Sequence, residues 1–141
     1  MYHAYNLQRF LDAQAAVYSD VCAELVSGDK ETHWMWFIFP QIAGLGHSAM
    51  AQRYAITNRA EAIAYLANPV LGSRLVHCTE MMLNHTDKSA RQILGAVDEL
   101  KFCSSMTLFD VVQTGIPTFG VALDRFFRGA RDGRTLQLLA T

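Results

Sequence analysis

The ten residues His33-Trp34-Met35-Trp36-Phe37-Ile38-Phe39-Pro40-Gln41-Ile42 hold both tryptophans of the chain and constrain its fold more than any other stretch. An apolar run this short is either a buried strand or a buried helix, and periodicity alone does not separate the two. A buried strand needs a partner, because backbone N–H and C=O groups removed from water must be paired. No second stretch reads convincingly as that partner. Thr32 stands where a helix cap would, and Pro40 stands where a helix must stop. The run is therefore expected to be a short helix in an all-α domain.

The rest of the chain agrees with that class. Leu7, Phe10, Leu11, Ala15, Tyr18, Val21, Cys22 and Leu25 recur at the three-and-four spacing of one helix face. Asn6 is placed to cap the start and Gly28 to end it. Asn58 with Glu61 resembles a capping box, and the Ala-rich run after it stops before Asn68-Pro69. Pro69 suits a first helical position, followed by Leu71, Leu75, Cys78 and Met82. Ser89 to Leu94 reads as a short helix closed by Gly95, Asp98 as the cap of the next, and Pro117 as the opening of a last one. Six or seven short helices are expected in one domain spanning residues 1–141, with no repeat or linker.

The bulk numbers exclude more than they identify. A chain of 141 residues is long enough to bury roughly two thirds of the surface its unfolded form exposes. Charged residues make up only 18%, below the about 25% usual for soluble domains, so a generous core or an apolar self-association surface is expected and a homo-oligomer stays open. The net charge of -1 argues against the basic field of a nucleic-acid binder. Three scattered cysteines, Cys22, Cys78 and Cys103, read as reduced core thiols. With neither a secretory leader pattern at Met1-Tyr2-His3-Ala4 nor a long apolar span, a cytoplasmic protein is expected, without membrane contact.

Candidate chemistry starts in the same aromatic run. Trp34, Trp36, Phe37 and Phe39 can stack a planar ring, as nucleotide sites do at about 1–3 kcal/mol per base, or can simply form a core. Two indole N–H groups, the His33 imidazole and the Gln41 amide are more polar edges than a core satisfies cheaply, so some of them are expected to face a ligand cavity. Gly44-Leu45-Gly46-His47-Ser48 is either an anion-binding turn or a tight turn that requires glycine. Lys101, Ser104 and Ser105 share adjacent parts of one helix face and suit a phosphate or carboxylate; the alternative is that the serines bond back to helix carbonyls and Lys101 pairs with Asp98. His33 and Lys101 are the candidate catalytic groups, as imidazoles titrate near neutrality and desolvated lysines serve as bases or nucleophiles. His47, His77 and His85 share no metal-ligand spacing, so neither a metal nor a cofactor is expected. Arg128, Arg131 and Arg134 read as a solvated basic face.

Three blocks carry a resemblance to a known family: Leu7-Gln8-Arg9-Phe10 with Asp12-Ala13-Gln14, the aromatic run continued through Gly44-Leu45-Gly46-His47-Ser48, and Lys101 with Ser104-Ser105-Met106-Thr107-Leu108-Phe109. Together they resemble the signatures of the bacterial domain of unknown function 1810, over nearly the whole chain. The resemblance implies very little about activity. Where that pattern usually carries a basic residue this chain has Cys103, and Arg74 is the candidate to supply the missing anionic contact. The expected site is thus a cleft with His33, Trp34, Trp36 and Gln41 on one wall and Lys101, Ser104 and Ser105 on the other, aided by Arg74, for a small anionic or nucleotide-like ligand. Alternatives are an enzyme acting on ADP-ribose or nucleotide-like substrates, by fold-level analogy with the small helical NADAR family, and a protein-interaction module.

Overall fold

The structure, a computed structural model, describes residues 5–140, and among them the regular elements are ten helices and one isolated bridge between Ile42 and Ile56. The helical class holds; the number of helices exceeds the six or seven expected. The apolar face predicted from Leu7 to Val26 is cut into α1 (Gln8–Ala15) and α2 (Tyr18–Ser27) by a turn at Ala16 and Val17. Packing explains the break: α1 lies against the aromatic segment, whereas α2 lies against the long helix α6 (Pro69–Leu83), and β-branched Val17 gives the weakest helical link between them. Asn6 does not cap α1. Leu7 holds the N-cap position, and the Asn6 carbonyl instead accepts from Arg9 Nη1 at 2.6 Å.

The aromatic run forms α3 (Met35–Ile38), a single turn. Trp34, not Thr32, is its N-cap residue, because the Thr32 hydroxyl is committed to the Glu24 carboxylate at 2.6 Å. Ser48 caps α4 (Ala49–Arg53) by accepting from Ala51 N–H at 3.1 Å. Gly44 sits at φ 103°, where a side chain would be strained, so the Gly-Leu-Gly segment is a turn ending in a cap. Helix α5 (Arg59–Ala67) starts on Asn58, whose side chain accepts from Glu61 N–H at 2.9 Å. The reciprocal half of a capping box is displaced: Glu61 accepts from Thr57 N–H and pairs with Arg9 at 3.0 Å.

Helix α7 (Ala90–Leu94) carries the full capping box between Ser89 and Gln92 and stops at Gly95, and α6 starts at Pro69 on the Asn68 cap. Helix α8 (Ala96–Val112) begins one turn earlier than expected, with Gly95 as N-cap and Asp98 in its first turn. Thr118 follows Pro117 into α9 (Thr118–Phe127), and α10 (Gly133–Leu139) starts on Asp132. Helix α10 and the split of α1 from α2 add to the expected number, whereas α4 stands where the Ala-rich run after Ser48 reads as a helix.

Helix α8 is the centre. Residues Ser104 through Phe109 are buried on every side, as a helix surrounded by α5, α7, α9 and α10 must be. Phe102 meets Phe39 edge-on at 4.9 Å and Tyr65 lies 5.3 Å from Phe109, so the aromatic run closes one end of the core that α8 runs through. Helix α6 packs on α1, α2, α3, α5 and α9, and its remaining side faces out. No described helix is long and apolar enough to cross a membrane.

Candidate functional site

The two walls of the expected cleft meet at Lys101 and Trp36, but their hydrogen bonds and ion pairs go to other residues of the fold. Trp34 is 1% exposed, and its indole N–H donates to Glu24 Oε1 at 3.0 Å. Glu24 also accepts from the backbone of Glu31 at 2.7 Å and of Thr32 at 2.9 Å. Burial would raise the Glu24 pKa, but the Thr32, Glu31 and Trp34 donors outweigh it and bring the carboxyl down to about 2. Lys101 stands 5.1 Å over the Trp36 ring and 3.5 Å from Asp98, whose other oxygen pairs with Lys30 at 2.8 Å. Lys30 in turn lies over Trp34 at 5.1 Å. One carboxylate thus holds two ammonium groups, each above an indole. Trp36 and Gln41 border a notch of about 10 Å³, room for roughly one water. His33 is exposed on the rim.

The serine block is a clasp for the C-terminal helix. Ser104 Oγ reaches the Leu100 carbonyl and Asp132 Oδ2, both at 3.1 Å, and Asp132 N–H donates to Thr107 Oγ1 at 2.9 Å. Asp132 also accepts from Thr135 N–H and so caps α10. Ser105 is fully buried, and its hydroxyl has no hydrogen-bond partner. Arg131 pairs with Asp110 at 3.1 Å, leaving Arg128 and Arg134 on the surface.

Arg74 has a different setting. It lines an open groove of about 660 Å³ on the outer side of α6, whose walls include Tyr18, Leu66, Asn68, His77 and Ile116. The floor is tight at the α5–α6 corner, where a Cβ on Gly72 would come 2.2 Å from the Leu66 carbonyl oxygen. The guanidinium lies over the Tyr18 ring, Cζ 4.4 Å from its centroid, and Nη1 donates to Gln14 Oε1 at 3.2 Å. No carboxylate among the described residues pairs with it, unlike Arg9, Arg91 and Arg131. The Tyr18 hydroxyl accepts from the Cys78 thiol at 4.0 Å; burial and the neighbouring Cys78 and Cys22 push its phenol pKa up, so the ring under the guanidinium is neutral. Burial pushes Cys78 up to about 12, which makes it an unreactive thiol. Cys22 and Cys103 are free and half-buried, where core positions were expected. The N–H groups of Val70 and Leu71 are taken by the Asn68 side chain, so an anion in this groove must look to side chains.

Tyr18 and Gln14 escape a reading for chemistry, and His77 is read only as a metal-ligand candidate. A signal existed for the first two: Phe10, Gln14 and Tyr18 stand four apart, so an amide occupies the inward face of α1 and requires a partner.

The family model described as "protein of unknown function (DUF1810)" matches residues 4–139. The chain belongs to the DUF1810 family. A solved structure that is similar to this DUF1810 chain is the conserved hypothetical protein Rv1873 from Mycobacterium tuberculosis, 45% identical, with 99% of each chain covered and a TM-score of 0.97. No curated protein matches. The Arg9-Phe10 and Gln14 block of the DUF1810 resemblance has a physical account. Arg9 ties α1 to Glu61 and to the carbonyls of Arg53 and Ala55, and Gln14 joins Phe37, Tyr65 and Arg74.

Proposed function

We propose that this protein binds a small anionic, nucleotide-sized metabolite in the groove at Arg74. The observation that carries the reading is the state of that guanidinium: half-buried, laid on Tyr18, and in no ion pair with a carboxylate among the described residues, Glu80 lining the same groove without pairing with it. A partly desolvated cation without a counter-charge is costly to maintain and attracts an anion strongly when one is available. The groove volume of about 660 Å³ lies within the range of small-molecule sites, and Leu66 and Ile116 give it the apolar lining that a ring or sugar face needs. Lys101 carries the same formal charge, but Asp98 already answers it.

The test is a titration of isotope-labelled protein with ADP, followed by amide chemical shifts. Perturbations concentrated at Tyr18 and across residues 68–80, weakened at least ten-fold in Arg74→Ala, are expected. Shifts centred on Trp36 and Lys101, or none at all, would overturn the assignment.

A further inference from the structure

The Arg74 side chain is held from behind by a residue that reaches the groove only through it. Gln14 is 1% exposed, and both ends of its amide are used. Oε1 accepts from Arg74 Nη1 at 3.2 Å, while Nε2 donates to the Phe37 carbonyl at 2.8 Å and to the Tyr65 hydroxyl at 3.2 Å. A guanidinium only donates and a backbone carbonyl only accepts, so a single amide orientation satisfies both neighbours. The Gln14 oxygen therefore points at Arg74 as a fixed acceptor, anchored to the backbone of α3 and to α5. Two contacts then hold the guanidinium: Gln14 accepts from Nη1, and the Tyr18 ring lies against Cζ at 4.4 Å. What remains unengaged is the edge formed by Nε and Nη2, two parallel N–H groups whose spacing matches two oxygens of one carboxylate or phosphate.

We infer that Gln14 is the positioning residue of the Arg74 site and that the groove takes an oxyanion in bidentate fashion on the Nε–Nη2 edge. The inference rests on the anion-binding reading above and adds the geometry by which the anion is recognised. Carboxylate and phosphate share that geometry, and the probes distinguish them.

Side-chain ¹⁵N spectra of the free protein report rotation of the Arg74 guanidinium about its Nε–Cζ bond, which a merely structural Gln14 would not restrain. Slow rotation is expected in the wild type and fast rotation in Gln14→Leu; fast rotation in the wild type overturns the positioning role whatever binds. Calorimetry with pyrophosphate and, separately, succinate reads the second half. Arg74→Lys, which keeps the charge but not the edge, should lose at least ten-fold in affinity for whichever probe binds more tightly. Wild-type affinity in Arg74→Lys overturns the bidentate edge alone. Wild-type affinity in Arg74→Ala, or no binding of either probe by the wild type, overturns the anion reading and this inference with it. Should Gln14→Leu fail to fold, Gln14→Glu still decides: its carboxylate should keep the rotation slow while neutralising the cation, so affinity falls at least ten-fold, and unchanged affinity contradicts the arrangement.

Discussion

Among the places where this molecule sets a cation over an aromatic ring, two end in opposite states. At the seam between α3 and α8, Lys30 and Lys101 lie over Trp34 and Trp36, but both ammonium groups converge on Asp98 and the Trp34 N–H is spent on Glu24. On the outer side of α6, Arg74 lies over Tyr18 with an amide in place of a carboxylate behind it. Ring and cation are common to both; the counter-charge is what differs. A cation neutralised within the fold leaves little charge for a ligand, whereas a cation held by a neutral acceptor keeps its charge available.

The comparison breaks most visibly under large changes at the seam. Trp34→Ala removes a ring that is 1% exposed and should cost about 3–5 kcal/mol in chemical denaturation, with the groove's affinity for ADP unchanged in protein that still folds. Loss of affinity without loss of stability would mean that the seam carries the site. Glu24→Gln should cost about 1–2 kcal/mol at neutral pH, since the carboxylate gathers four donors but is partly screened by solvent. Its folded-state pKa of about 2 lies below the ordinary 4.5, so the stability it adds is complete above about pH 4.5 and disappears as pH falls towards 2. Denaturation of the wild type and of Glu24→Gln should therefore converge over that window; a constant gap would show that the ionised carboxylate is not what binds the loop. The smallest effect is expected from Ser105→Ala, within about 0.5 kcal/mol of the wild type or slightly stabilising, because the lost hydroxyl is buried without a partner. A cost of 2 kcal/mol or more would reveal a hydrogen bond to that group.

Much of the fold was legible because its boundaries are local. Gly28, Asn68-Pro69, Ser89 with Gly95, and Pro117 each act within a few residues, and each stands where the sequence placed it. The division of α1 from α2 was not legible, since both halves carry one continuous apolar stripe and only the positions of α3 and α6 force the turn. The site was legible in its residue types more than in its assembly. Arg74 entered only as a replacement for the basic residue absent at position 103, and its partner Gln14 lies sixty residues away in sequence, a pairing no local pattern encodes. The Lys101-Ser104-Ser105 face showed the converse: its groups suit an anion, yet Asp98, three residues before Lys101, and Asp132, twenty-eight residues after Ser104, take up Lys101 and Ser104.

The contrast between the two cations is tested most directly by calorimetric titration of pyrophosphate into Arg74→Ala and Lys101→Met side by side with the wild type. Arg74→Ala should lose at least ten-fold in affinity while Lys101→Met, which keeps the apolar stem over Trp36, binds as the wild type does. Full affinity in Arg74→Ala together with its loss in Lys101→Met would move the site to the α3–α8 seam and contradict the account.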